Sequence, residues 1–138
     1  MEKQTTIKNK ITLKGKGLHT GKNVEVNILP AQANSGIVFK RIDLENPVIV
    51  KAEAEAVTET SRGTTIEAKG AKVATIEHLM AALYASNIDN ALIEINGEEV
   101  PILDGSSKYW LEAIEKSGVE QLEKERKYFC LKEIVSYI

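Results

Sequence analysis

Alternation of apolar and polar side chains predicts several β-strands. In residues 23–29, Val24, Val26 and Ile28 alternate with polar neighbours, which is the period-two pattern of a strand with one buried face. Residues 91–95 follow the same pattern. In all, the pattern predicts strands at 5–13, 23–29, 36–42, 48–50 and 91–95, a weaker one within 52–59, and a small hairpin formed by 64–67 and 72–73.

Two segments follow the helical period instead. Residues 76–86 place apolar side chains at spacings of three and four, and Thr75 precedes them as a predicted N-cap. A second helix is predicted to begin after an N-cap at Asp104 or Ser106 and to end at Ser117, with Gly118 as its C-cap. Together with the strands, these helices predict an α+β fold in which a mainly antiparallel sheet packs on two helices.

Glycines and turn residues mark the connections between these elements. Residues 15–21 hold three glycines around His19, which predicts a loop whose backbone can turn tightly or approach a ligand closely. The other connections are predicted as a hairpin turn at 96–99, a loop at 104–107 and a charged connector at 121–127 that leads into a strand at 128–138.

The first predicted helix has an unusual second face. Its apolar stripe consists of Ile76, Leu79, Met80 and Leu83, whereas His78, Ala81, Ala82 and Ala85 are predicted to share the opposite side. Glu77 is the only formal charge from residue 73 to 88, although 28% of the chain is charged. Small residues opposite an apolar stripe therefore predict that both faces are covered, the second by another helix, another domain or a substrate.

Composition narrows the class of protein without naming a function. The 138 residues are 43% hydrophobic, enough for one globular domain with its own core. A net charge of −2 with both signs dispersed gives no support to a nucleic-acid or anionic-membrane partner, and no apolar run reaches the length of a membrane span. The single cysteine, Cys130, and the lack of an apolar leader predict a cytoplasmic protein.

The adjacent pair Glu77-His78 is the strongest candidate for chemistry. A metal hydrolase needs a metal ligand and a carboxylate that can take a proton from water, and this pair contains one of each. One histidine cannot hold zinc alone, so the pair by itself leaves a core or capping role for His78 open. His19 and Asp104 are further candidates, with loop structure and helix capping as their alternatives. Motifs for phosphate loops, nucleophile elbows and cysteine-based metal sites are missing from the sequence.

Several motifs, taken in order, resemble one enzyme family. They are Gly-Leu-His-Thr-Gly at 17–21, Thr-Ile-Glu-His-Leu at 75–79 with Ala-Ala-Leu at 81–83, Ile-Asp-Asn at 88–90, and Pro-Ile-Leu-Asp-Gly-Ser at 101–106. Their order and spacing are similar to those in the N-terminal domain of UDP-3-O-acyl-N-acetylglucosamine deacetylase. The match is looser at 60–66. The resemblance covers nearly the whole chain and implies a zinc-dependent amidohydrolase that removes acetate from UDP-3-O-acyl-N-acetylglucosamine, the committed step of lipid A biosynthesis in Gram-negative bacteria.

The resemblance also implies a fold and residue roles. The family fold is two similar α+β domains stacked as a β-α-α-β sandwich, with the helices of the two domains facing each other. Zinc would be held by His78 together with a histidine and an aspartate of the second domain, and Glu77 would be the general base. His19 and Asp104 match family positions near the site, so they are predicted to line it or to serve its structure.

On this interpretation the chain is the N-terminal half of the enzyme. Residues 1–123 would form the N-terminal deacetylase domain, and 124–138 a linker with the first strand of a truncated second domain. Its partners would be the UDP-sugar acyl substrate and the second domain of the same chain, and the fragment alone would be inactive. The alternative is a non-catalytic binding or assembly module that retains this fold, with Glu77 and His78 in structural roles.

Overall fold

The computed structural model describes residues 2–61 and 63–126. It has an α+β fold with two helices and mainly antiparallel strands, which confirms the predicted fold class. The helices are α1 (Glu77–Ala85) and α2 (Lys108–Ser117), and a short 3-10 helix spans Ala54–Ala56. The strands are β1 (Lys3–Ile7), β2 (Ile11–Lys16), β3 (Asn23–Leu29), β4 (Ile37–Arg41), β5 (Val48–Lys51), β6 (Val57–Glu59), β7 (Thr65–Ala68), β8 (Ala71–Val73), β9 (Ala91–Ile95) and β10 (Val119–Glu125).

A five-stranded sheet forms the framework, in the order β2-β3-β9-β4-β5. The central strand β9 is antiparallel to β3 and parallel to β4. Every second residue of β9, namely Ala91, Ile93 and Ile95, is fully buried, and β3 buries alternate residues in the same way. The period-two pattern at 23–29 and 91–95 was therefore confirmed, because one face of this sheet packs on the core.

Two smaller sheets complete the strand arrangement, and the one formed by β1 and β10 corrects the sequence prediction. The predicted strand at 5–13 is in fact two strands, because the chain turns at residues 8–10 and β1 and β2 join different sheets. The predicted connector at 121–127 is largely strand, since β10 pairs antiparallel with β1. β10 has six exposed residues out of seven, so backbone pairing and not an apolar pattern holds it in place. It also runs past residue 123, the predicted domain boundary, and the division into two domains stays a prediction.

The hairpin predicted at 64–67 and 72–73 was confirmed as β7 and β8 in a sheet with β6. The turn predicted at 96–99 does not make a hairpin, because β9 is already paired with β3 and β4 on its two sides. The segment after it crosses to the start of α1 instead, where Glu99 bridges Ala74 in parallel fashion. The weak strand predicted within 52–59 survives only as β6, preceded by the 3-10 helix.

Both helices bury side chains in one hydrophobic core. Leu79 and Leu83 of α1 and Trp110 and Ile114 of α2 belong to the same buried cluster as residues of all three sheets. Ala82 is also fully buried in this core, which contradicts its predicted place opposite the apolar stripe. It lies only about 60° from Leu79 around the helix, so the core covers a wider arc of α1 than the apolar stripe indicated.

Within the described part of the chain, no helix is long and apolar enough to cross a membrane. The strand predicted at 128–138 and Cys130 lie outside the described residues.

Candidate active site

Helix α1 presents the Glu77-His78 pair at its first two residues. The residue before the helix is Ile76, whose side chain makes no capping hydrogen bond, so the prediction of Thr75 as N-cap was wrong. Thr75 instead has a left-handed backbone with φ of 60°, which is rare for a β-branched residue and costs about 1–3 kcal/mol. The chain therefore enters α1 through a strained residue.

The Glu77 carboxylate is held against the backbone that leads into β7. The backbone N–H of Thr64 donates to Glu77 Oε1 at 3.1 Å. Gly63 has φ of 109°, and a Cβ at that position would lie 2.7 Å from Glu77 Oε2. Glycine thus allows a close approach of backbone and carboxylate that a side chain would obstruct. The N-terminal end of a helix also stabilises a negative charge at Glu77.

His78 is half-buried. Its backbone carbonyl accepts a hydrogen bond of 2.8 Å from Ser107 Oγ, which ties α1 to the start of α2. In residues 2–61 and 63–126 the imidazole nitrogens of His78 have no hydrogen-bond or ion-pair partner. A histidine in that state can coordinate a metal without first breaking a contact.

Asp104 lies in the loop before α2 and makes a local turn. Its carboxylate accepts hydrogen bonds from the backbone N–H and the hydroxyl of Ser106, which lower the pKa of Asp104. Ser106 Oγ in turn accepts from the N–H of Lys108, but the residue at the N-cap position is Ser107, so both predicted caps were placed early. No hydrogen bond joins Asp104 to Glu77 or His78 among the described residues.

His19 is held by Glu99, a residue that the sequence interpretation missed. His19 Nδ1 lies 2.8 Å from Glu99 Oε2, and the backbone N–H groups of His19 and Thr20 donate to Glu99 Oε1 at 3.0 and 2.9 Å. Thr75 Oγ1 donates to Glu99 Oε2 at 2.6 Å. Burial by itself raises the pKa of Glu99, but the hydrogen bonds from Thr75, Thr20 and His19 outweigh it and lower that pKa from 4.5 to about 2.

Glu99 gave almost no signal in the sequence. It stands beside a second glutamate in what was interpreted as a turn, and charged residues are rarely buried. The one available hint was that Glu99 directly precedes an apolar run, Val100, Pro101 and Ile102. A residue next to a buried apolar run can be buried with it if its charge has hydrogen-bond partners. The network makes an indirect connection from His19 through Glu99 and Thr75 to the start of α1.

The donor set is consistent with part of a zinc site. In the described residues, no group of three or more His, Cys, Asp or Glu side chains could hold a metal ion. Catalytic zinc takes three protein ligands and leaves one position open. An unpartnered imidazole beside a fixed carboxylate fits one ligand and one proton acceptor of such a site, which other residues would have to complete.

Comparison with known proteins gives the family. The family model for LpxC, UDP-3-O-acyl N-acetylglycosamine deacetylase, matches residues 4–137. The UDP-3-O-acyl-N-acetylglucosamine deacetylase of Geotalea uraniireducens is 50% identical over 133 residues, which are 96% of this chain and 43% of that protein. The protein of the same name from a Geobacter species is 49% identical over 135 residues, 98% of this chain and 44% of that protein.

A bifunctional LpxC/FabZ enzyme of Bacteroides thetaiotaomicron is 47% identical over 137 residues, which are 99% of this chain and 30% of that enzyme. The chain thus spans less than half the length of these relatives, and within that length the match is nearly continuous. With the family model covering almost every residue, the chain belongs to the LpxC family of UDP-3-O-acyl N-acetylglycosamine deacetylases.

Proposed function

We propose that this chain supplies the general base and one metal ligand of a zinc-dependent deacetylase. The substrate would be UDP-3-O-acyl-N-acetylglucosamine, from which acetate is removed by hydrolysis in lipid A biosynthesis. One observation supports this more than any other: Glu77 and His78 begin α1 side by side, the carboxylate accepts a backbone N–H, and the described residues include no partner for the imidazole.

Glu77 would accept the proton of the attacking water. Its Oε1 is held by the Thr64 N–H, so the carboxylate keeps one orientation. The remaining lone pairs can accept a proton from a water molecule within hydrogen-bond reach.

His78 would be the ligand that this chain contributes. Zinc, when bound, would polarise the amide carbonyl and make water a better nucleophile. The hydrogen bond from Ser107 Oγ to the His78 carbonyl fixes the backbone that carries the ring. Two further protein ligands would come from the part of the protein that corresponds to the rest of the relatives' length.

An exposed face beside these residues supports a covering domain. Ala81 and Ala85 are exposed on α1, and between them Tyr84 has 87% of its surface exposed. Tyr109 and Leu111 are exposed on the neighbouring α2. Exposed apolar side chains therefore lie on both helices, and we propose that helices of the second domain cover part of this surface. The cytoplasmic location also stays a prediction from composition.

The test uses the complete protein loaded with zinc. Replacing Glu77 by Gln should lower kcat by about 10²–10⁴-fold while the zinc-to-protein ratio stays unchanged. The change His78→Ala should reduce that ratio because a ligand is lost. Glu45→Gln, a change of an exposed carboxylate in the loop before β5, serves as the control and should alter neither value.

Full activity of Glu77→Gln would remove Glu77 as the base. An undiminished zinc content in His78→Ala would remove His78 from the ligand set. If the complete wild-type protein binds zinc but never releases acetate from the substrate, the non-catalytic binding module becomes the better interpretation.

A further inference from the structure

Glu99 joins two segments that lie far apart in the sequence. On one side are residues 17–21, which donate to its carboxylate through two backbone N–H groups and the His19 ring. On the other side is Thr75, two residues before Glu77, whose hydroxyl donates at 2.6 Å. The carboxylate therefore links the His19 loop to the entry of α1.

The packing around this carboxylate leaves no room for another arrangement. Glu99 is 2% exposed, and a Cβ at position 17 would overlap with both Glu99 Oε1 and Thr20 Oγ1. Gly17 is therefore the residue that lets the loop close over the carboxylate. Apart from the His19 ring, three donors reach the two oxygens, namely the backbone N–H groups of His19 and Thr20 and the Thr75 hydroxyl, and an ionised Glu99 can accept from all three.

This arrangement determines the orientation of the His19 ring. Because an ionised carboxylate can only accept, Nδ1 of His19 must carry the proton of the 2.8 Å contact. The neutral ring then has Nε2 as a free acceptor that points away from Glu99. The His19 side chain is 37% exposed, so the side opposite Glu99 can reach a ligand.

The same carboxylate also supports the strained residue before α1. Thr75 is flanked by backbone hydrogen bonds, from the Ala74 N–H to the Glu98 carbonyl at 2.8 Å and from the Val100 N–H to the Ala74 carbonyl at 3.0 Å. These bonds hold the backbone of the two crossing segments, and Glu99 adds a side-chain hydrogen bond at the left-handed residue itself. Its loss would allow the entry of α1, with Glu77 and His78, to change direction.

We propose that Glu99 is a positioning residue for the proposed deacetylase reaction. It holds His19 in the Nδ1-protonated form and keeps the His19 ring in a fixed position relative to Glu77 and His78. This inference rests on the proposed function for its catalytic part. Its structural part, the hold on His19, can be tested without any turnover.

The first experiment records the imidazole nitrogens by 15N NMR in the 138-residue chain at pH 9, well above the ordinary titration range of imidazole. Only two histidines are present, and a spectrum of His78→Ala assigns them. The wild type should show His19 protonated at Nδ1, and Glu99→Gln should shift the ring toward Nε2 protonation. An unchanged tautomer in Glu99→Gln overturns the proposed hold on His19.

The second experiment measures kcat, KM and zinc content in the complete protein. Glu99→Gln should lower kcat at least tenfold with unchanged zinc content, and its effect should shrink in a His19→Ala background because part of it acts through His19. The control is Asp89→Asn, in the segment after the C-terminal end of α1. Asp89 is another carboxylate that accepts a backbone N–H, in this case from Thr5 at 2.9 Å. This control change should leave kcat unchanged.

A second pair of variants covers the case in which Glu99→Gln does not fold. Thr75→Val removes the hydroxyl but keeps the shape, and it should also lower kcat with unchanged zinc content. Thr6→Val is its match, since Thr6 is an equally buried threonine whose hydroxyl donates to the Asn90 carbonyl at 2.6 Å. Equal kcat in both threonine variants overturns the positioning role.

The two proposals fail differently. If the wild-type complete protein shows no turnover, the proposed function and any catalytic role of Glu99 are overturned together, whereas the NMR result still decides whether Glu99 holds His19. If the wild type turns over substrate and Glu99→Gln does so equally well, only the role of Glu99 is overturned.

Discussion

Acidification should remove a defined part of the stability that Glu99 contributes to this chain. Its pKa is lowered from 4.5 to about 2 in the folded protein. A carboxyl group with a lowered folded-state pKa stabilises the fold fully above its unfolded pKa, and the contribution is lost as pH falls toward the folded value. The window is therefore between about pH 5 and pH 2.

The size of the effect follows from the interval between the two pKa values. At about 1.4 kcal/mol for each pH unit, the ionised Glu99 contributes about 3.5 kcal/mol at pH 7, and about 1.5 kcal/mol is left at pH 3. Other carboxylates also titrate in this range, among them Asp43 and Asp104, whose pKa values are lowered as well. The contributions of these other carboxylates cancel when the wild type is compared with Glu99→Gln, because the variant retains every other titrating group.

The assay is urea unfolding of the wild-type chain and of Glu99→Gln, followed by circular dichroism from pH 7 to pH 3. The difference in free energy of unfolding between the two should shrink by about 2 kcal/mol over this range. The starting difference at pH 7 also contains the cost of placing an amide among donors, so the change with pH is the quantity to compare. A difference that stays constant with pH would refute the assignment of an ionised, donor-bound carboxylate at Glu99.

Two further predictions compare neighbouring or matched residues. Leu83→Ala should lower the free energy of unfolding by about 2–5 kcal/mol, because Leu83 is 1% exposed. Tyr84→Ala should change it by less than about 0.5 kcal/mol in this chain, because Tyr84 is exposed. Equal losses in urea unfolding would contradict the described orientation of α1. Asp43→Asn should lower the free energy of unfolding by about 1–3 kcal/mol, since the buried Arg41 guanidinium loses a two-point contact at 2.8 Å. Glu25→Gln, which breaks the exposed pair with Lys14, should lower it by less than about 0.5 kcal/mol. Similar melting temperatures for the two variants would speak against a buried ion pair at Arg41.

The sequence singled out Glu77 and His78 as candidates for chemistry, but it did not reveal the residues that support them. Glu77 and His78 stood out because they are adjacent and lie close to a predicted helix start. His78 is one of two histidines, and Glu77 is the only charged residue from 73 to 88, and all of these properties are local. Glu99 and Thr75 could not be assigned in the same way, because a buried carboxylate is recognised by its donors, and those donors come from residues 19, 20 and 75. Thr75 shows the difficulty. A threonine before a helix is a good candidate N-cap, but the hydroxyl of Thr75 donates to the Glu99 carboxylate instead.

Local pattern by itself determined the α+β class, both helices, the strands β3, β4 and β9, and the hairpin of β7 and β8, because each of these elements has a side-chain period set by its own geometry. Only the tertiary structure decided how residues 3–16 divide between two sheets and that the charged residues of β10 pair with β1. It also decided the left-handed backbone at Thr75. These features depend on partners that are distant in sequence, and backbone hydrogen bonds to such partners form regardless of the side-chain pattern.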